Sequence, residues 1–161
     1  PRRAPINIQL SLKNCQAILA KHDMKLNLHY FGTDKAAKFI NGENLGKLTK
    51  TEMIDLYHRC DFGIAPSMTN FSLVPFEMMS CGLPLIDFKE GTGKYFLPEG
   101  SYLQTSFDEK YLAQTFLNAR LNSFVIEKRV KKGVSYLKSI TWKQTLTDFE
   151  AIIEKISITV A

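Results

Sequence analysis

Several large protein classes are excluded by what this sequence lacks. Its three cysteines, Cys15, Cys60 and Cys81, are odd in number and widely spaced. That argues against a disulfide framework or a zinc site and for reduced thiols in a cytosolic setting. The three histidines, His22, His29 and His58, share no metal-ligand spacing, so all are expected at the surface and no metal site is expected. No apolar run approaches the ~20 residues a membrane helix needs. The opening Pro1-Arg2-Arg3 carries no apolar segment of the signal-peptide kind, and a start without Met suggests a fragment of something longer. No internal repeat, linker or low-complexity tract is visible. An aromatic-plus-basic RNA motif is missing too, and a net charge of +5 is too mild to argue for nucleic acid. It suits an anionic ligand or an anionic membrane surface.

Two motif echoes fail on inspection. His58-Arg59 and Asp61-Phe62-Gly63 resemble protein-kinase fragments, but the Gly-rich loop, strand lysine and separate catalytic loop of kinases are absent. Gly91-Thr92-Gly93-Lys94 resembles a phosphate-binding loop, yet Phe88 stands where the first Gly is required and Tyr95 where Ser or Thr is required. What remains there is a flexible loop beside a ligand, with Lys94 either a phosphate contact or a solvated charge.

The 161 residues, 45% of them apolar, suit one domain with one core over residues 1–161. Ile8, Leu12, Cys15 and Leu19 recur at helical spacing and predict a helix over 6–21. Leu26, Leu28 and Tyr30 alternate as a strand that stops at Gly32. Residues 35–40 read as a short helix or irregular chain, and 43–48 as a strand and turn. Thr49 with Glu52 forms a capping box for a helix bearing Met53, Leu56, Tyr57 and Cys60. Strands are expected over 61–65, 84–88 and 101–103. Three closing helices follow, capped by Ser106 with Glu109, by Ser123, and by Thr141 with Gln144. The second should turn Ile126, Val130, Val134 and Leu137 inward, and the third carries a stripe of Leu146, Phe149, Ile153 and Ile156. Trp142 is expected as a packing anchor. This alternation of strands and helices implies a doubly wound parallel sheet.

Residues 67–86 organise the rest. A short apolar strand ends at Pro66-Ser67, and a polar turn, Thr69-Asn70, leads to a helix started by Pro75 and stopped by Gly82 and Pro84. Free N–H groups at a helix start attract anions, and ligands of open α/β sheets gather at the carboxyl ends of strands. Glu77 lies in that first turn between Phe76 and Met78. A carboxylate there is costly to bury without a partner. The helix dipole accounts for it as structure; two hydrogen bonds to a ribose diol account for it as function.

The stretch from Ser67 to Ile86 resembles the donor-binding signature of retaining GT-B glycosyltransferases of the GT4 kind. Glu77 matches the second Glu of that signature, Phe71 its central aromatic, and Cys81-Gly82 the end of its helix. Thr69 replaces the usual first Glu, and Asn70 and Ser72 replace glycines, a variant similar to bacterial rhamnosyltransferases of surface-polysaccharide assembly. The resemblance implies a Rossmann-like, C-terminal donor-binding half of a GT-B fold. Sugar would pass from a nucleotide diphosphate sugar to a glycan or lipid-linked acceptor, with retention and without metal or other cofactor. The acceptor would be held by an N-terminal half outside these residues, with cytoplasmic location and peripheral membrane association as further expectations. Thr69 and Glu77 would act at the donor sugar and ribose. Ser67, Asn70, Phe71, Ser72 and Leu73 would surround the sugar and phosphates, Gly46, Lys47 and Leu48 would hold the base, and Arg3 (with Arg2 as substitute) would contact the diphosphate unless it is only a solvated end. A non-catalytic nucleotide- or glycan-binding module and a GT-B sugar-nucleotide epimerase are the alternatives.

Overall fold

The computed structural model describes residues 5–70 and 72–160. Helix α1 (Pro5–Ala20) buries the expected stripe of Ile8, Leu12, Cys15 and Leu19. Burial pushes the Cys15 thiol up to about 12, which keeps it protonated and unreactive. Two short parallel strands follow, β1 (His29–Tyr30) and β2 (Glu43–Asn44). Helix α2 (Lys50–Arg59) opens on the expected capping box: the Glu52 N–H donates to Thr49 Oγ1 at 3.3 Å, and the Thr49 N–H donates to Glu52 Oε2 at 2.7 Å.

The next elements are β3 (Gly63–Ile64), α3 (Val74–Ser80), β4 (Leu85–Phe88) and, after a 3-10 turn at Gly93–Tyr95, β5 (Leu103–Thr105). Helices α4 (Glu109–Leu121), α5 (Ser123–Ser139) and α6 (Trp142–Val160) complete the chain. All strand pairs are parallel. They form two groups, β1–β2 and β3–β4–β5, rather than one continuous ladder among the described residues. Helix α3 ends as its residues predict. Gly82 takes φ +75°, and the N–H groups of Gly82 and Leu83 donate to Met79 and Met78 carbonyls at 2.9 and 3.1 Å, a left-handed stop that glycine adopts without strain.

Helices cover both faces of the sheets. On one face, α1 and α4 enclose Ile8, Leu12, Leu19, Ile86, Phe88, Leu112 and Phe116. On the other, Tyr57, Met78, Met79, Leu83, Leu85 and Leu97 form a second cluster. Strand β4 feeds both, because its residues alternate between faces and all four are buried. Each large side chain buried this fully contributes roughly 1.5–3 kcal/mol.

Several local expectations are corrected. Asp108, not Ser106, caps α4: its carboxylate accepts the Tyr111 N–H at 2.8 Å, while Ser106 Oγ accepts the Asp108 N–H at 3.3 Å. Both side chains fit the pattern, but only Asp108 directly precedes the helix. Ser123 is the first residue of α5 and not its cap. Strand β5 lies at Leu103–Thr105, two residues later than expected; of the two readings open for 35–40, the irregular one holds. Trp142 is 85% exposed rather than an anchor, and Leu146, Phe149, Ile153 and Ile156 of α6 are exposed as well. Among the described residues no helix is long and apolar enough to cross a membrane.

Candidate functional site

The loops at the carboxyl ends of β3 and β4 are fastened to each other. Strand β3 is tight against α3: a Cβ at Gly63 would come within 2.6 Å of Met78 Sδ. The chain therefore leaves β3 through Ala65 and Pro66 and must loop back to start α3 directly above. In that loop Ser67 is 1% exposed. Its hydroxyl donates to the Asn70 carbonyl, and its oxygen accepts the Asn70 N–H at 3.3 Å. The loop after β4 then clamps this turn. The Thr92 N–H donates to the Ser67 carbonyl at 2.7 Å, and Thr92 Oγ1 lies 2.9 Å from the Ser67 carbonyl and 3.2 Å from that of Asn70.

The loop at 91–94, expected to be flexible, is thus an anchored element with Gly91 and Gly93 buried. Lys94 is exposed, its ammonium 3.4 Å from the Lys89 carbonyl and 5.2 Å from the Tyr95 ring centre. Thr69, Asn70 and Leu73 are exposed and Ser72 is buried. Arg3 and Phe71 lie outside the described residues.

The turn at 46–48 is a separate element. Gly46 already uses its backbone groups: its N–H donates to Asn44 Oδ1 at 3.0 Å, and its carbonyl accepts the Gly32 N–H at 2.8 Å. The Gly46 carbonyl keeps a second lone pair, so a base contact from this turn falls to that carbonyl or to Lys47 and Leu48. Both line a cavity of about 1180 Å³ that also reaches Gly32, Pro66 and Val74. The cavity brings the 47–48 turn to the residues flanking the 67–73 loop, although Ser67, Thr69, Asn70, Ser72 and Leu73 do not line it.

Glu77 departs from the premise of its sequence reading. It is exposed, so no burial cost requires a partner for it. It still lies in the first turn of α3. Two groups that residue patterns did not mark as functional are more perturbed. Tyr57 is 3% exposed and its hydroxyl has no hydrogen-bond partner. Burial, then the negative charge of Glu77, pushes it up to about 12. Asp87 is 4% exposed at the carboxyl end of β4, with Oδ2 unpartnered. Burial pushes its carboxyl up to about 6, against the opposing effect of the Phe88 N–H. The one available signal for Asp87 was a lone acid inside the apolar run Leu85–Phe88; Tyr57 read as one more member of an apolar stripe.

A family model described as "Glycosyl transferases group 1" matches residues 3–119. The chain belongs to the group 1 glycosyltransferases. No curated protein matches the chain. Among solved structures, this glycosyltransferase domain is similar to an α,α-trehalose-phosphate synthase (UDP-forming) from Burkholderia vietnamiensis, with TM-score 0.76 and 10% identity over 99% of this chain and 42% of that one. It is similar to sucrose-phosphate synthase from Thermosynechococcus elongatus, with TM-score 0.65 and 17% identity over 92% and 43%. It is also similar to Anabaena HepE in complex with UDP, with TM-score 0.54 and 19% identity over 73% and 32%. The chain therefore spans less than half the length of each of these proteins. At these identities the likeness concerns the fold: an α/β domain with parallel strands, matching part of the GT-B architecture.

Proposed function

We propose that this domain is the donor-binding half of a retaining glycosyltransferase of the GT4 kind, similar to the rhamnosyltransferases of bacterial surface-polysaccharide assembly. The observation that carries the reading is the family match over 117 residues together with the signature loop 67–73 at the carboxyl end of a parallel strand, where open α/β folds hold ligands. Anabaena HepE, of related fold, was solved with UDP. In the reaction the bond from the anomeric carbon to the diphosphate breaks, and the acceptor hydroxyl bonds to that carbon on the same face. The hydroxyl proton passes to the leaving phosphate. The domain's part is to hold the donor: Glu77 on the ribose diol, Lys47 and Leu48 at the base, the backbone around Asn70 to Ser72 at sugar and phosphates, and Thr69 at the sugar hydroxyls. Arg3 supplies positive charge to the diphosphate. Fixed charge and backbone N–H groups, without a metal, stabilise the leaving group. The acceptor glycan or lipid-linked sugar is bound by polypeptide outside this chain, on the cytoplasmic side of the membrane surface.

Titration with UDP, GDP and dTDP tests donor binding, and anomeric analysis of the full-length enzyme's product tests retention. Binding of one nucleoside diphosphate, with α-to-α or β-to-β transfer, is the expected result. A non-catalytic module would bind and never transfer, a reading favoured by the replacement of the first Glu by Thr69. Failure to bind any nucleotide would refute the donor-domain reading and a nucleotide-binding module alike, leaving a glycan-binding module.

A further inference from the structure

One buried polar atom near the candidate donor loop has nothing to satisfy it. Tyr57 lies in the last turn of α2 and is 3% exposed, and its hydroxyl has no hydrogen-bond partner among the described residues. Buried hydroxyls are nearly always paired, and an unpaired one costs stability. The ring itself is accounted for. It meets Phe31 edge-on, with ring centres 6.0 Å apart, and joins the cluster of Met78, Met79 and Leu83. The hydroxyl is the part that packing does not explain.

One side of α3 faces it. Tyr57, Val74 and Met78 line the same cavity, and Cys81 packs against the same cluster. Val74, Met78 and Cys81 stand at i, i+4 and i+7, so they share one helix face. Glu77, three residues after Val74 and four before Cys81, borders that face. Burial raises the phenol first, and the charges of Glu77 and then Cys81 raise it further. The phenol therefore keeps its proton and is a donor. Of its two ionisable neighbours, only the carboxylate is a strong acceptor. Glu77 is exposed in the first turn of α3, so its side chain can turn without disturbing the core.

We infer that Tyr57 is a positioning residue for Glu77: its O–H donates to the carboxylate and fixes that side chain in the rotamer that meets a ribose diol. The inference rests on the reading of Glu77 as the ribose ligand. A carboxylate has about four lone-pair sites on two oxygens, so one bond from Tyr57 leaves room for both ribose hydroxyls. The bond forms as Glu77 turns from solvent onto the diol. The cost of the orphaned hydroxyl is then recovered only in the complex, which adds to affinity.

Tyr57→Phe removes the hydroxyl and keeps the ring. In the full-length protein its Tm is expected to equal or exceed the wild-type value, because the free protein loses no bond. In calorimetric titration with UDP, GDP and dTDP, the nucleotide that binds best should bind about three- to tenfold more weakly to the variant. The loss should be specific to the ribose. With the dideoxyribose form of the same nucleotide, wild type and variant should agree within about twofold, and so should the same pair in a Glu77→Ala background. Unchanged affinity in Tyr57→Phe, or an equal loss with the dideoxyribose form, overturns the inference. A lowered Tm also overturns it, since the hydroxyl then has a structural partner. Binding that Glu77→Gln weakens and Tyr57→Phe does not refutes the positioning role and leaves the donor reading standing. Binding that Glu77→Gln leaves unchanged refutes the ribose role of Glu77 and this inference with it.

Discussion

Replacing Asp87 by Asn should change the pH dependence of stability in a direction the structure dictates. The carboxyl is 4% exposed, Oδ2 has no partner, and burial raises it from 3.8 to about 6. The folded state therefore holds this proton more tightly than the unfolded chain does. Below pH 3.8 the group is neutral in both states and costs nothing. As pH rises from 3.8 to about 6 the unfolded chain releases the proton while the folded state still holds it, and stability falls. Above that window the loss is constant at about 3 kcal/mol. Asn keeps the volume and cannot ionise, so the difference between variant and wild type should grow by roughly 2–3 kcal/mol between pH 4 and pH 7.5. For a chain of this size that is roughly 5–10 °C in Tm. Urea unfolding of both proteins across that range measures it, and the comparison cancels every other titrating group. The absolute offset at low pH absorbs any misfit of the amide. Parallel stability curves would refute the reasoning, and a difference that shrinks as pH rises would mean that the carboxylate has a cationic partner.

Three further outcomes follow from the same geometry. Glu77→Gln should weaken nucleoside diphosphate binding by roughly ten- to a hundredfold, the worth of a hydrogen bond to a charged group, with Tm unchanged because the side chain is exposed; calorimetric titration with nucleotides lacking single ribose hydroxyls checks it, and unchanged affinity removes Glu77 from the site. Thr69→Glu should shift preference among donor sugars in competition assays and leave nucleotide affinity nearly unchanged, whereas collapse of nucleotide affinity with no shift would make Thr69 a structural residue. Gly93→Ala should lower the urea midpoint by about 1–3 kcal/mol of stability, since a Cβ there runs into Asp87 Oδ2 and comes within 3.0 Å of Leu97 Cδ1.

The helices were legible because their information is periodic. Ile8, Leu12, Cys15 and Leu19 had to share a side whatever they packed on, and the α2 capping box and the Gly82 stop are complete within a few residues. The position of the signature loop was legible for the same reason, because strand, turn and helix start are contiguous. What holds that loop was not. Ser67 and Thr92 are 25 residues apart, and nothing in either neighbourhood marks a serine carbonyl as the acceptor of two threonine donors. Glu77 shows a different failure. Phe76 and Met78 flank it in sequence, but neighbours in a helix point about 100° apart, so flanking apolar residues do not bury the residue between them. Met78 turns to the core at 3% exposure while Glu77 faces solvent. The case for Glu77 as a ribose ligand consequently loses its energetic leg and rests on position alone: an exposed carboxylate in the first turn of α3, following a loop that is hydrogen-bonded to the β4 loop. Asp87 inverts the problem. In a half-exposed strand the alternation rule would have placed it outward, but β4 is covered on both faces, so the face opposite Ile86 and Phe88 is also interior. A carboxyl set there keeps its proton until near pH 6, directly beneath the Gly93 backbone of the loop that clamps Ser67. The ionisation of one buried acid and the anchoring of the candidate donor loop thus converge on the same few atoms, and for that reason the Asp87→Asn comparison probes the site as well as the core.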